Sequence, residues 1–229
     1  MFGLDADWAY NLSTWVLPVL IAITFHEAAH GFVAWRLGDP TARMAGRLSF
    51  NPLRHIDPFG TVVLPAMLFF LGGILFGWAK PVPVDFRRLN NPRRDMVWVA
   101  IAGPGTNLVL AMVAVVSLHA AALLPAGPEE WVARNLINAL QINIILALFN
   151  MLPIPPLDGG RVAVGLLPDR LAYPLARLER VGMFVILGAV FLLPMIGRQI
   201  GVDLNVFYWL IGMPATEVMR LMLVVFGVV

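Results

Sequence analysis

The sequence predicts an all-α polytopic membrane protein with about five to six transmembrane segments, one of them re-entrant or a short hairpin, and short strand-like loops. Three observations carry this. Of 229 residues, 59% are hydrophobic and 13% charged, with a mean hydropathy of +0.80, where a soluble domain has about 45–50% apolar and about 25% charged residues. Apolar stretches of the roughly 20 residues that a hydrocarbon core requires recur at 13–36, 97–124, 132–152, 179–197 and 204–228. The longest polar connection, 37–59, falls short of the roughly 50 residues of a small soluble domain. The expectation is one membrane-embedded domain over 1–229, with a core at about 13–170 and C-terminal spans at 179–228.

This balance excludes an ordinary soluble enzyme, a disordered chain and a nucleic-acid binder. Sixteen basic against 14 acidic residues leave a net charge of only +2, and there is no cysteine. Disulfides, thiolate metal sites and a cysteine nucleophile are therefore excluded.

The first span follows Asp5 and Asp7 with no basic residue ahead of it and no small-residue cleavage site behind a short apolar core. It reads as a span and not as a signal peptide. The connection after it holds Arg36, Arg43, Arg47 and Arg54, and the one after 60–79 holds Lys80, Arg87, Arg88, Arg93 and Arg94. Basic connections favour the cytoplasmic side, so both belong on one face and 60–79 does not cross once. Pro65 and Gly72-Gly73 inside it suit a dip-and-return, since irregular backbone at membrane depth is tolerated where protein or a water-filled cavity surrounds it. The connection 125–134, with Glu129 and Glu130, then lies outside with the N-terminus. The connection 153–178, with Arg161, Arg170 and Arg177, lies inside. Five crossings plus one re-entrant segment result.

Chemistry begins at His26-Glu27-Ala28-Ala29-His30. A spacing of four on a helix brings both imidazoles onto one face, one turn apart, where they can hold one Zn²⁺ while the glutamate attends the metal's water. Ionisable residues in a span are expensive and normally mark function. His30 lies six residues before Arg36, about 9 Å of helix, which sets the metal inside the bilayer near its cytoplasmic face. A catalytic zinc typically takes three protein ligands; His55, His119 and the acidic residues, Glu179 among them, are candidates for the third. Asp158 stands out, because Pro153, Pro155 and Pro156 stop the preceding helix and Gly159-Gly160 allow a tight turn. In the topology above it ends on the face of His26 and His30. A further motif, Gly103-Pro104-Gly105-Thr106-Asn107, opens the next span at the same level; spacing alone reads it as helix packing, with Asn107 offering donors and an acceptor.

In this order, within membrane spans, these motifs resemble the site-2 protease family of intramembrane zinc metalloproteases. The matching residues are 26–30, 103–107 and 150–160, with further likeness at 48–58 and 79–84 to the compact prokaryotic type that lacks a PDZ domain. The resemblance implies one Zn²⁺ per chain held by His26, His30 and Asp158, with Glu27 as general base. It implies Asn107 and Asn150 as catalytic polar groups that hold substrate backbone or stabilise an oxyanion. It further implies a multi-pass protein of the cell (inner) membrane that cuts transmembrane segments of other membrane proteins. Substrate helices satisfy their own peptide groups and must unwind first, so the strand-like stretches 47–50 and 81–85 are candidates to pair with them, with Pro81, Val82, Pro83 and Val84 as substrate-binding residues. The lipid bilayer is the second expected partner, and nucleic acid is not one.

Rival chemistries fare worse. Ser13, Ser49 and Ser117 lack the setting of a nucleophile, and the apolar stretches hold no paired aspartates. A membrane transporter or metal-binding scaffold using the same His/Asp cluster is the main alternative. Glu27 separates the two, as a ligand in a transporter and as a base off the metal in a protease.

Overall fold

The computed structural model describes residues 6–63, 67 and 79–228. Five helices are long and apolar enough to cross a membrane. They are α1 (Ala6–Arg36), α2 (Pro92–Ala121), α3 (Pro128–Asn150), and two further spans named below. Two short helices follow α3: α4 (Asp158–Leu166) and α5 (Asp169–Arg177). The last two spans are α6 (Gly182–Ile200) and α7 (Tyr208–Val225). Among the described residues there is no β-ladder, and 47–51 and 79–85 are non-helical connections.

Helix starts depart from the hydropathic limits for a local reason. Both α2 and α3 begin four or five residues early, on Pro92 and Pro128. Proline is pre-set for the first helical turn, where its missing N–H is no loss, while the charged first turns (Arg93, Arg94 and Asp95; Glu129 and Glu130) depress hydropathy without unwinding the helix. The stretch 153–178, read from sequence as a connection, folds into α4 and α5. Nine residues are too few to register as spans, yet enough to bury one face.

Most of the 60–79 segment lies outside the described residues, Pro65 and Gly72-Gly73 included. Its flanks meet: Lys80 N–H donates to His55 O at 2.9 Å. The end of α1 and the start of α2 also meet, with Asn90 N–H donating to Leu37 O at 2.8 Å and Ala34, Leu89 and Val99 forming one buried cluster. Hence the C-terminal end of α1 and the N-terminal end of α2 share a face, as the charge pattern requires. Helix α3 returns parallel to α1, which Trp131–Ser13 and Asn138–Thr14 hydrogen bonds record.

Inside a bilayer, apolar burial gives helices little reason to associate, and small residues and interhelical hydrogen bonds do the work instead. Accordingly Ala111, Ala114 and Val115 of α2 lie against Leu140 and Ile144 of α3 and Ala215 of α7. The most apolar windows of α2 and α6 are 44% and 11% buried. The helices that carry the sequence motifs thus form the inner bundle, and the last two spans pack at its edge with most of their surface exposed.

Candidate metal centre

His26 and His30 project from one face of α1. Their Nε2 atoms are 3.0 Å apart, and Asp158 Oδ2 lies 3.2 Å from the first and 3.3 Å from the second. All three side chains are nearly buried, with relative exposures of 8%, 12% and 8%. Among the described residues this is the one group of three or more histidine and acidic side chains placed to hold a metal.

The outer nitrogens decide what the inner ones carry. His30 Nδ1 is 2.7 Å from Val99 O, and His26 Nδ1 is 2.5 Å from Asn107 Oδ1. A carbonyl oxygen only accepts, so each Nδ1 bears a proton and Nε2 is the nitrogen that each ring turns toward Asp158 as a potential ligand atom. The Asn107 amide is itself fixed: its Nδ2 donates to Ala22 O at 3.2 Å and to Asn143 Oδ1 at 2.7 Å, while Asn143 Nδ2 donates to Ala139 O at 2.8 Å. The directed chain from His26 to the α3 backbone leaves no choice of tautomer or amide orientation.

Two imidazole nitrogens and a carboxylate oxygen therefore converge on one point. Apart from the two histidines it faces, the buried Asp158 Oδ2 has no hydrogen-bond partner among the described residues. Such a donor set suits a metal cation. A tetrahedral zinc with bonds of about 2.0–2.1 Å keeps its ligands about 3.3 Å apart, and the two His–Asp separations match that. The donor set, two imidazoles and one carboxylate, is the three-ligand type found in catalytic zinc sites.

Two glycine motifs make the convergence possible. A Cβ on Gly103 would lie 2.6 Å from His26 Cε1 and Nε2, and closer still to His30 Nε2, so α2 supports the imidazoles with bare backbone. Asp158 opens α4, where a carboxylate suits the positive helix end. Gly159 and Gly160 let that first turn press on the 151–155 backbone, where any Cβ would collide with Met151, Leu152 or Pro155.

Glu27 stands apart from the triad. Its Oε2 accepts the Val82 N–H at 2.7 Å, and Val82 is itself buried beside Gly31. The 81–84 stretch thus meets α1 through Val82, at Glu27 and Gly31. Asn107 is wholly buried and its amide is committed to His26, Ala22 and Asn143, so it holds a ring and has no free donor for substrate. Asn150 is half-buried at the last residue of α3, with Nδ2 donating to Leu146 O. His55 donates from Nε2 to Ser49 O and His119 from Nε2 to Phe226 O, each at 2.8 Å; both lie outside the triad. Sequence reasoning missed Asn143 and assigned Gly103 to packing. An asparagine in mid-span was the available signal for the first.

The sequence profile described as Peptidase family M50 matches residues 14–127 and 126–194. The chain belongs to peptidase family M50, the site-2 protease family. Among its relatives, "Putative zinc metalloprotease YwhC" of Bacillus subtilis is 39% identical over 75% of this chain and 77% of its own. "Putative zinc metalloprotease Rip2" of Mycobacterium tuberculosis H37Rv is 34% identical over 83% of this chain and 70% of its own. Rip2 of Mycolicibacterium smegmatis is 36% identical over 61% and 52% respectively. No solved structure matches this chain. As an M50 member with five membrane-length helices, the protein is a membrane metallopeptidase.

Because metal-bound histidines depend on the partner of their second nitrogen, Asn107→Leu is expected to weaken zinc binding about 10–100-fold. Competition with a metal-indicator dye checks this; unchanged affinity would remove Asn107 from the site's support.

Proposed function

We propose that the protein is a site-2-type intramembrane zinc endopeptidase that hydrolyses peptide bonds within transmembrane segments of other membrane proteins. The observation that carries this is the separation of roles on α1: His26 and His30 converge with Asp158, while Glu27 is not one of that group and accepts the Val82 N–H. A transporter would recruit Glu27 as a ligand; a hydrolase needs it free as a base.

His26, His30 and Asp158 would hold zinc, which when bound supplies a Lewis acid that polarises the scissile carbonyl and acidifies water. Glu27 takes the proton of the attacking water and returns it to the leaving amine. With Oε2 anchored on Val82, Oε1 stays available for that transfer. Asn107 fixes the His26 ring, and Asn150, one N–H tied to Leu146 O, offers its other to substrate backbone. Residues 81–84 give an unwound substrate an edge on which Pro81 and Pro83, lacking N–H, serve as acceptors only. The site lies toward the cytoplasmic face of the cell membrane, where the arginine-rich connections gather.

Reconstituted protein should cleave a single-pass test substrate within its transmembrane segment. Chelation should stop cleavage and zinc should restore it. Cleavage confined to the exposed part of the substrate would sink the intramembrane reading. Val82→Pro, which deletes the N–H on Glu27, is expected to lower kcat about 10–100-fold, the worth of a hydrogen bond to a charged group, at unchanged zinc content. Val82→Ala, which keeps the N–H, should retain most activity. Equal kcat in the two variants would dissociate the loop from Glu27.

A further inference from the structure

We propose that α5 and the turn after it form a docking surface for anionic phospholipid headgroups of the bilayer that the chain spans. The level is set by connectivity. The turn Leu178–Arg180 ends two residues before Gly182, where the membrane-length helix α6 begins, so this segment sits at the membrane surface.

Its exposed side chains are of two kinds. Leu171, Tyr173 and Leu178 are 57%, 68% and 42% exposed, large apolar groups of the sort that enter the acyl boundary, and Leu166 at the end of α4 is exposed beside them. Arg170, Arg177 and Arg180 are exposed as well. The two carboxylates of the segment are neutralised from other elements: Asp169 pairs with Arg93 of α2 at 2.6 Å, and Glu179 with Arg161 of α4 at 3.4 Å. No ion pair among the described residues involves the three arginines. Apolar side chains beside uncompensated cations are the pattern of a helix lying in an anionic interface.

A groove of about 660 Å³ lies on this surface, lined by Tyr173, Ala176, Arg177, Glu179 and Arg180. Two guanidinium groups and a tyrosine rim offer a headgroup phosphate charge-assisted hydrogen bonds. Since α4 and α5 pack together and α4 begins at Asp158, a lipid held here sits one helix from a proposed metal ligand.

The test is independent of catalysis. The full chain would be placed in phosphatidylcholine nanodiscs with and without phosphatidylglycerol, and hydrogen exchange followed over 166–180. Protection is expected to rise with phosphatidylglycerol in the wild type, and to fall to the phosphatidylcholine level in a doubly substituted Arg177→Gln, Arg180→Gln chain whose zinc content is unchanged. Equal exchange in both bilayers, or protection kept by the double variant, would overturn the proposal. Protection that needed an added acidic polypeptide would do so too, by assigning the groove to a protein.

Discussion

Asp158→Ala is expected to strip zinc from the purified protein, while Glu27→Gln keeps about one zinc per chain and abolishes turnover. The contrast follows from where the two carboxylates point. Asp158 Oδ2 lies 3.2 and 3.3 Å from the histidine Nε2 atoms; without it, two imidazoles one helical turn apart hold a metal weakly. Glu27 makes its hydrogen bond to Val82 instead, and the amide of glutamine is isosteric with the carboxylate but not basic. Loss of general acid–base catalysis typically reduces rate about 10²–10⁴-fold. Metal analysis beside cleavage of a transmembrane substrate reads both quantities. Zinc lost from the Glu27 variant would make Glu27 a ligand and move the transporter reading ahead; zinc indifferent to Asp158 would mean that the third ligand lies elsewhere.

The spans and the His-Glu-x-x-His site were legible because each rests on a local signal. Hydropathy marks a span within its own 20 or so residues, and a four-residue spacing fixes two imidazoles by helix geometry alone. Asp158 was reachable by a longer route, through charge bias and topology, since both ends of the 37–91 connection had to share a face for the carboxylate to return to the histidines. What escaped depends on contacts between helices. The family resemblance implies Asn107 as a group toward substrate, whereas spacing alone reads it as packing; only the approach of α1 and α3 to α2 shows both its N–H groups taken by Ala22 and Asn143. Helix α4 escaped because prolines and glycines dominate 153–160 and mask the helical turns that begin at Asp158, and α5 because its nine residues are too few to register as a span.

Gly103→Ala and Gly105→Ala are expected to part company, although they lie two residues apart on one helix. At Gly105 an added Cβ meets nothing within 4 Å. Alanine there gains the helix preference that glycine lacks, worth about 0.5–1 kcal/mol, and zinc content should not change. At Gly103 the same methyl would sit 2.6 Å from His26 Cε1 and Nε2, well inside contact distance. The obstacle cannot yield cheaply. His26 is held by Asn107 and His30 by Val99 O, and Asn107 and Val99 belong to the same helix as Gly103. Moving α2 away to admit the methyl would break those bonds; swinging the rings would aim their lone pairs off Asp158. Overpacking of this kind costs about 1–3 kcal/mol, which corresponds to a zinc affinity about 5–150-fold weaker, with cleavage falling in parallel. Zinc titration of the two variants decides it. Equal affinity would mean that the imidazoles do not rest on α2 at Gly103. A selective loss at Gly103 would show that a glycine within a membrane helix is part of the metal site, because the absence of a side chain is what lets two rings and a carboxylate meet.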